Sequence, residues 1–238
     1  MAKANDLAKV EAAGALAAVP EGLRGGALVE GASSGPALSR MALFQGTPDE
    51  DKKYPGHSLK RGDFFDTLEV RKIGTTTKIL PIMGWMSWVK FVKGQKAPVY
   101  SVTKRSEVPV GDLDWHDKTP PAASECVNMI VAVEGESWPY LFIFKRTALE
   151  GYNKVIGPME ARRGSMQKGP GLYELGTRDA ENPDGQAYKR LTARFTGDPS
   201  PELLAMAATV HKSLADIRKQ AEAMAEDRDA NDAGDIPI

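Results

Sequence analysis

Cys126-Val127-Asn128-Met129-Ile130-Val131-Ala132-Val133, then Glu134-Gly135-Glu136-Ser137, then Trp138-Pro139-Tyr140-Leu141-Phe142-Ile143-Phe144-Lys145 is the stretch that sets the fold class. Two runs rich in β-branched and aromatic residues flank a short polar linker with a glycine, which is the pattern of a β-hairpin. Leu172 to Gly176 and Gln186 to Thr196 repeat it around Asn182-Pro183-Asp184-Gly185, a turn-forming sequence. On the N-terminal side Phe64 to Val70, Thr77 to Val92 and Val99 to Thr103 have the same strand character, with Gly or Pro near their ends. Met41-Ala42-Leu43-Phe44-Gln45 reads as a strand or packed anchor, and Thr147 to Ile156 as a short helix. Many short strands with turns between them predict a mainly β (α+β) fold, a barrel or sandwich.

Asp198-Pro199-Ser200-Pro201-Glu202 announces a helix, with Ser200 as cap and Pro201 in the first turn. Its apolar positions Leu203, Ala207, Val210, Leu214, Ile217, Ala221 and Met224 keep a four-three spacing. Such a stripe either packs on the barrel or pairs with a second copy to make a homo-oligomer. The expected organisation is a flexible N-terminal arm over 1–38, a β domain over 39–197, a helix over 198–224 and a disordered acidic tail over 225–238. Ala, Gly and Ser dominate the arm, where a short helix over Leu7 to Leu16 is compatible with the composition.

Hydrophobic residues make up 42% of the 238 residues, enough for a sizeable core. The one cysteine, Cys126, excludes an internal disulfide framework and fits a reducing, cytoplasmic setting. The three histidines are far apart in sequence, so no metal or other cofactor is expected. No apolar run reaches the ~20 residues of a membrane-spanning helix, so no membrane partner is expected. Walker, Gly-x-Ser-x-Gly, His-Glu-x-x-His and EF-hand signatures are absent, and no enzymatic activity is expected. Asp112, Asp114, His116 and Asp117 form the one acid and histidine cluster; with no second cluster to complete it, it reads as a polar loop and not a nuclease site.

The net charge of −1 hides an asymmetry. From Lys52 to Arg105 twelve Lys or Arg face three acids, whereas from Glu222 onward six acids face Arg228 alone. A basic body with an acidic tail points to a polyanion-binding surface. In Trp85-Met86-Ser87-Trp88-Val89-Lys90-Phe91-Val92-Lys93, strand alternation puts Trp85, Ser87, Val89, Phe91 and Lys93 on one face and Met86, Trp88, Lys90 and Val92 on the other. Each face then offers rings to stack bases and a lysine to follow phosphates, which is what single-strand binding requires. The DNA-binding candidates are therefore Trp85, Trp88, Lys90, Phe91 and Lys93, together with Tyr54, His57 and Tyr100 as further rings. The paired bases Lys60 and Arg61, Arg71 and Lys72, Lys104 and Arg105, and Lys145 and Arg146 complete the set. Trp138 and Tyr140 are additional stacking candidates.

The acidic end closes on Asp235-Ile236-Pro237-Ile238. It resembles the tip of bacterial single-stranded DNA-binding proteins, an acidic run ending in Asp-Ile-Pro-Phe, with Ile238 in place of the aromatic. Pro55-Gly56-His57 leading into Gly62-Asp63-Phe64-Phe65, the Phe144-Lys145-Arg146-Thr147-Ala148 strand exit and the N-terminal arm extend the likeness. The whole chain resembles phage-encoded replication or recombination proteins of the single-stranded DNA-binding type. That resemblance implies a five-stranded oligonucleotide-binding (OB-fold) barrel that binds nucleic acid across one face and two loops. It also implies a protein that coats single strands during replication, recombination and repair in the host cytoplasm, recruiting partner proteins through Asp232, Asp235, Ile236, Pro237 and Ile238. The alternative from the same charge pattern is an adaptor, virion-associated or otherwise, whose basic face binds an acidic protein.

Overall fold

The computed structural model describes residues 38–92, 98–114, 121–182 and 185–213. The expected arm up to residue 37, Lys93, His116 and Asp117, and everything from residue 214 through the tail lie outside the described residues.

The hairpin that sets the fold class is the centre of the sheet. Strands β6 (Ala123–Val133) and β7 (Pro139–Lys145) pair antiparallel, with Cys126 opposite Lys145 and Ala132 opposite Pro139. Val127, Met129, Val131 and Val133 join Tyr140, Phe142 and Phe144 in the largest core cluster, while Cys126, Ile130, Leu141 and Ile143 belong to a second one. A strand buried on both faces reads as a near-continuous apolar run, hence the lack of polar alternation here. The one amide in the run, Asn128, is buried and donates to Ser87 Oγ at 2.8 Å.

Around this pair stand β1 (Ser39–Leu43), β2 (Phe64–Asp66), β3 (Arg71–Gly74), β4 (Thr77–Lys90), β5 (Tyr100–Val102), β8 (Leu172–Glu181) and β9 (Ala187–Gly197). The sheet order is β3-β2-β1-β7-β6-β4-β8-β9, with β5 on the far end of β4. Among the described residues, only β1 and β7 run parallel. The fold is thus mainly β, a curled half-barrel with helices, as the sequence pattern predicts. One strand is shorter than expected: Phe64 to Val70 stops at Asp66. The Asp66 carboxylate accepts the amides of Leu68 and Glu69 and folds the chain into a turn, in which Val70 has φ 52°. In β4, Pro81 sits at a register shift against β6, a bulge where a missing N–H is tolerated.

Both faces of the sheet are covered by helix. After β7 the chain passes through a 3-10 turn Arg146–Ala148, the helical turn Leu149–Gly151, a π turn Tyr152–Ile156 and the helix Gly157–Ser165, longer than the short helix read from sequence. Leu149, Tyr152 and Ile156 pack on the first cluster. On the opposite face lies the helix Pro201–Lys212, capped by Ser200 Oγ on the Leu203 amide. Its Leu203 and Ala207 sit against Leu80 and Ala132, and its Val210 against Val89 and Ile130. The described part of the apolar stripe therefore packs on the sheet. A further helix, Pro48–Lys53, was not expected, although Thr47 and Glu50 form a capping box visible in the sequence.

The curl brings β9 back toward the end of β1, where a side chain joins them. Gln45 Nε2 donates to the Lys189 carbonyl at 2.9 Å and Gln45 Oε1 accepts the Lys189 amide at 2.9 Å, so one side-chain amide takes the place of a peptide in a strand ladder. Gln45→Ala removes both bonds and should lower stability by about 1–3 kcal/mol. Hydrogen exchange should show the loosening first at the Lys189 amide, and unchanged exchange there would refute a closing role for Gln45.

Candidate nucleic-acid interface

β1 and β7 stay in register only at Ser39 with Tyr140 and Arg40 with Leu141. Met41 to Leu43 then pair with β2, and the two parallel strands part. The opening is a cleft of about 130 Å3 with Met41, Phe65, Phe142 and Leu191 among its lining. Arg40, Lys53, Lys145, Arg146 and Lys189 also line it, five bases against Asp49 and Glu50. Glu50 is engaged in its own helix cap, accepting the amides of Gln45 at 2.9 Å and Thr47 at 3.2 Å. Asp49 leans toward Lys52 at 3.7 Å on the surface. By count the lining carries five basic side chains and two carboxylates.

Local backbone places the bases. Arg146 has φ 49°, an uncommon conformation for a non-glycine residue, at the point where β7 turns into helix. Strain of this kind collects at functional sites. Lys53 lies 5.5 Å from the centre of the Tyr54 ring, and Lys189 pairs with the exposed Asp179 at 2.8 Å. Lys60 and Arg61 are exposed on the adjoining loop: a Cβ on Gly46 would stand 3.4 Å from Arg61 Cβ. The cleft and its rim thus gather Tyr54, Lys60, Arg61, Lys145 and Arg146 from the expected set. Arg40, Lys53 and Lys189 were missed, because each stands apart from other cleft bases in the sequence and only the curl of the sheet collects them.

Of the remaining expected bases that the structure describes, Arg71, Lys72, Lys90 and Lys104 are paired with acids. Arg71 makes a two-pronged pair with Glu136, at 3.0 and 2.6 Å, and another bond to Glu69. These bonds, that with Glu136 foremost, hold the guanidinium proton more tightly than usual and keep the Glu136 carboxyl below its ordinary range. Lys72 meets the buried Asp63 at 2.8 Å, and Lys104 faces Glu107 at 3.6 Å. Arg105 is exposed in the 3-10 turn Arg105–Glu107. Lys90 Nζ donates to both Asp112 oxygens, and Tyr100 donates to the same carboxylate at 2.9 Å. Lys90 foremost lowers the Asp112 pKa, while burial, and then the bond to Asp112, pushes the Tyr100 hydroxyl up to about 12. Asp112 is thus bound up in a surface cluster, and among the described residues no group of His, Cys, Asp or Glu is arranged to hold a metal ion.

The expected two-face split of β4 holds, with an aromatic ring packed on each face. Trp85, Val89 and Phe91 lie on the face covered by the Pro201–Lys212 helix. Trp88 is 6% exposed and packs with Val108, Ala123 and Tyr100 on the other, so its ring is not presented for stacking in this conformation. Tyr54 meets Phe65 edge to face, and His57 meets Phe44. His57 Nδ1 accepts the Leu59 amide, which leaves Nε2–H to face Asp51 at 3.2 Å. Trp138 is different: it is 48% exposed, and its indole N–H donates to the Tyr140 hydroxyl.

Two outcomes follow from these placements. Trp88→Ala should cost about 3–5 kcal/mol in denaturant unfolding, as expected for a large core ring, and a loss under 1 kcal/mol would mean the ring is not core. Because the folded Tyr100 pKa of about 12 exceeds its ordinary 10.0, the folded state holds this proton longer. The associated stability is present below the ordinary value and is lost as pH rises through that window. Asp112→Asn should shift the Tyr100 step in a tyrosinate absorbance titration downward, and an unmoved step would show that burial alone sets it. Compared with known proteins, the chain matches no family model, no curated protein and no solved structure.

Proposed function

We propose that the chain is a non-enzymatic binder of single-stranded nucleic acid whose backbone phosphates enter the cleft between β1 and β7. The observation that supports this is the lining of that cleft, which gathers five basic side chains and two carboxylates. Phosphate contacts of this kind give affinity without reading sequence. The OB-like character of the curled sheet, and the coating of single strands during replication or recombination, belong to the same proposal. The acidic tail as a recruiter of partner proteins extends it beyond the described residues.

A second reading is favoured by a specific observation: most of the rings that were to stack on bases are packed inward. A basic cleft without open rings beside it also suits an acidic protein segment, as an adaptor would use. Binding of labelled oligo-dT at rising salt, with poly-glutamate as competitor, separates the two. On the nucleic-acid reading, Lys145→Ala and Arg146→Ala weaken oligo-dT binding and flatten the log-log salt slope by ~0.7 for each phosphate no longer neutralised. Arg71→Ala, a base outside the cleft lining, leaves that slope unchanged. Tighter capture of poly-glutamate than of oligo-dT favours the adaptor, and no salt-dependent binding of either removes the cleft from both.

A further inference from the structure

A second interruption in the sheet lies on β4. β8 meets this strand at Thr77–Ile79 and β5 meets it at Trp88–Lys90, both on the edge away from β6. Between them, residues 80–87 pair with β6 on one side and with no strand on the other, among the described residues. A strand edge presents alternating N–H and C=O groups that require water or another extended backbone. Gly84 and Met86 are exposed there, the latter by 40%.

Beside this edge runs a groove of about 460 Å3. Met83, Trp85 and Met86 line it from β4, Met129 from β6, and Tyr152 and Ile156 from the π turn. π turns are frequent at functional sites, and methionine walls adapt to varied apolar side chains. Two charged residues line the groove, Glu160 and Lys168. Glu160 is engaged inside the fold, accepting the Gly171 amide at 2.9 Å and the Tyr173 hydroxyl at 2.5 Å. Of the two, Lys168 is the exposed charge at the groove.

We propose that this stretch of β4 takes up an extended apolar peptide of a partner protein as an added strand, with an acidic residue of the peptide meeting Lys168. The backbone edge demands an extended chain, the methionine and aromatic walls demand apolar side chains, and Lys168 supplies the charge complementarity. β8 and β5 already occupy the same row, so they bound the added strand at both ends and limit it to the length of residues 80–87. A folded second copy would bring its own β5 and β8 against these, which disfavours edge-to-edge pairing of two β4 strands.

The test uses the full chain and a fluorescein-labelled peptide, Asp-Val-Thr-Ile-Ser-Val-Thr-Ile, alongside the same peptide N-methylated at alternate amides. The expected results are saturable binding of the unmodified peptide, slowed hydrogen exchange at residues 82–86 and no binding of the N-methylated form. Met86→Glu should weaken binding by about tenfold or more by placing a charge in the groove, and Lys168→Glu should weaken it severalfold. Should Met86→Glu fail to fold, the N-methylated peptide on the unaltered chain still decides. Equal binding of both peptides, or no binding of either, overturns the proposal. So does slow exchange, in the free chain, at those amides of 82–86 that point away from β6: with a monomer in sedimentation it means that the chain covers its own edge, and with a dimer that a second copy does.

Discussion

Burial of β6 on both faces is the constraint from which the rest follows. A strand with Val127, Met129 and Val131 toward one side and Cys126, Ile130 and Ala132 toward the other exposes two apolar surfaces, and each needs its own cover. The run of helical turns after β7 provides one cover and the helix Pro201–Lys212 the other. The helix that looks like an appendage in the sequence is therefore part of the core. Curling of the sheet follows too, since β4, β6 and β7 must wrap the first cluster while β8 and β9 come round to meet Gln45.

What was legible in the sequence is what is local. The β6–β7 hairpin, the β8–β9 pair and the Ser200 cap each depend on residues within one turn or one alternating run, and each is present, although β8 runs on to Glu181, past the Gly176 at which the pattern ends it. The strand beginning at Phe64 ended early because a side chain, Asp66, outcompeted the ladder for two amides, an effect that strand propensity does not register. Charge was misleading for a related reason. The basic stretch from Lys52 to Arg105 looks uncompensated along the chain, yet Glu136 answers Arg71, Glu134 answers Lys78 and Asp112 answers Lys90, all from outside it or across the sheet. The potential that a ligand meets depends on these pairings in space and not on a count in a window.

Aromatic residues show the same limit. Alternation correctly divides Trp85 and Phe91 from Trp88, but alternation cannot say that a ring is packed on each face. Among the described residues Trp138, in the hairpin that announces the fold, is left open, as Phe195 is; its polar edge is tied to Tyr140 while its body lies outside the strand.

The two openings in this molecule have one physical origin. Where β1 leaves β7 to pair with β2, the parting strands expose side chains at the bottom of a cleft, and the bases gathered there set its chemistry. Where β8 and β5 together fail to span β4, what is exposed is backbone, and the chemistry is that of an unfinished ladder. A sheet whose pairing ran to completion at both places would have neither. Closure by Gln45 is relevant to the first: it fixes Lys189 beside the cleft through the main chain, so the position of that base does not depend on its own flexible side-chain stem alone. The placing of one of the bases in the cleft lining thus rests on a neutral amide that carries no charge.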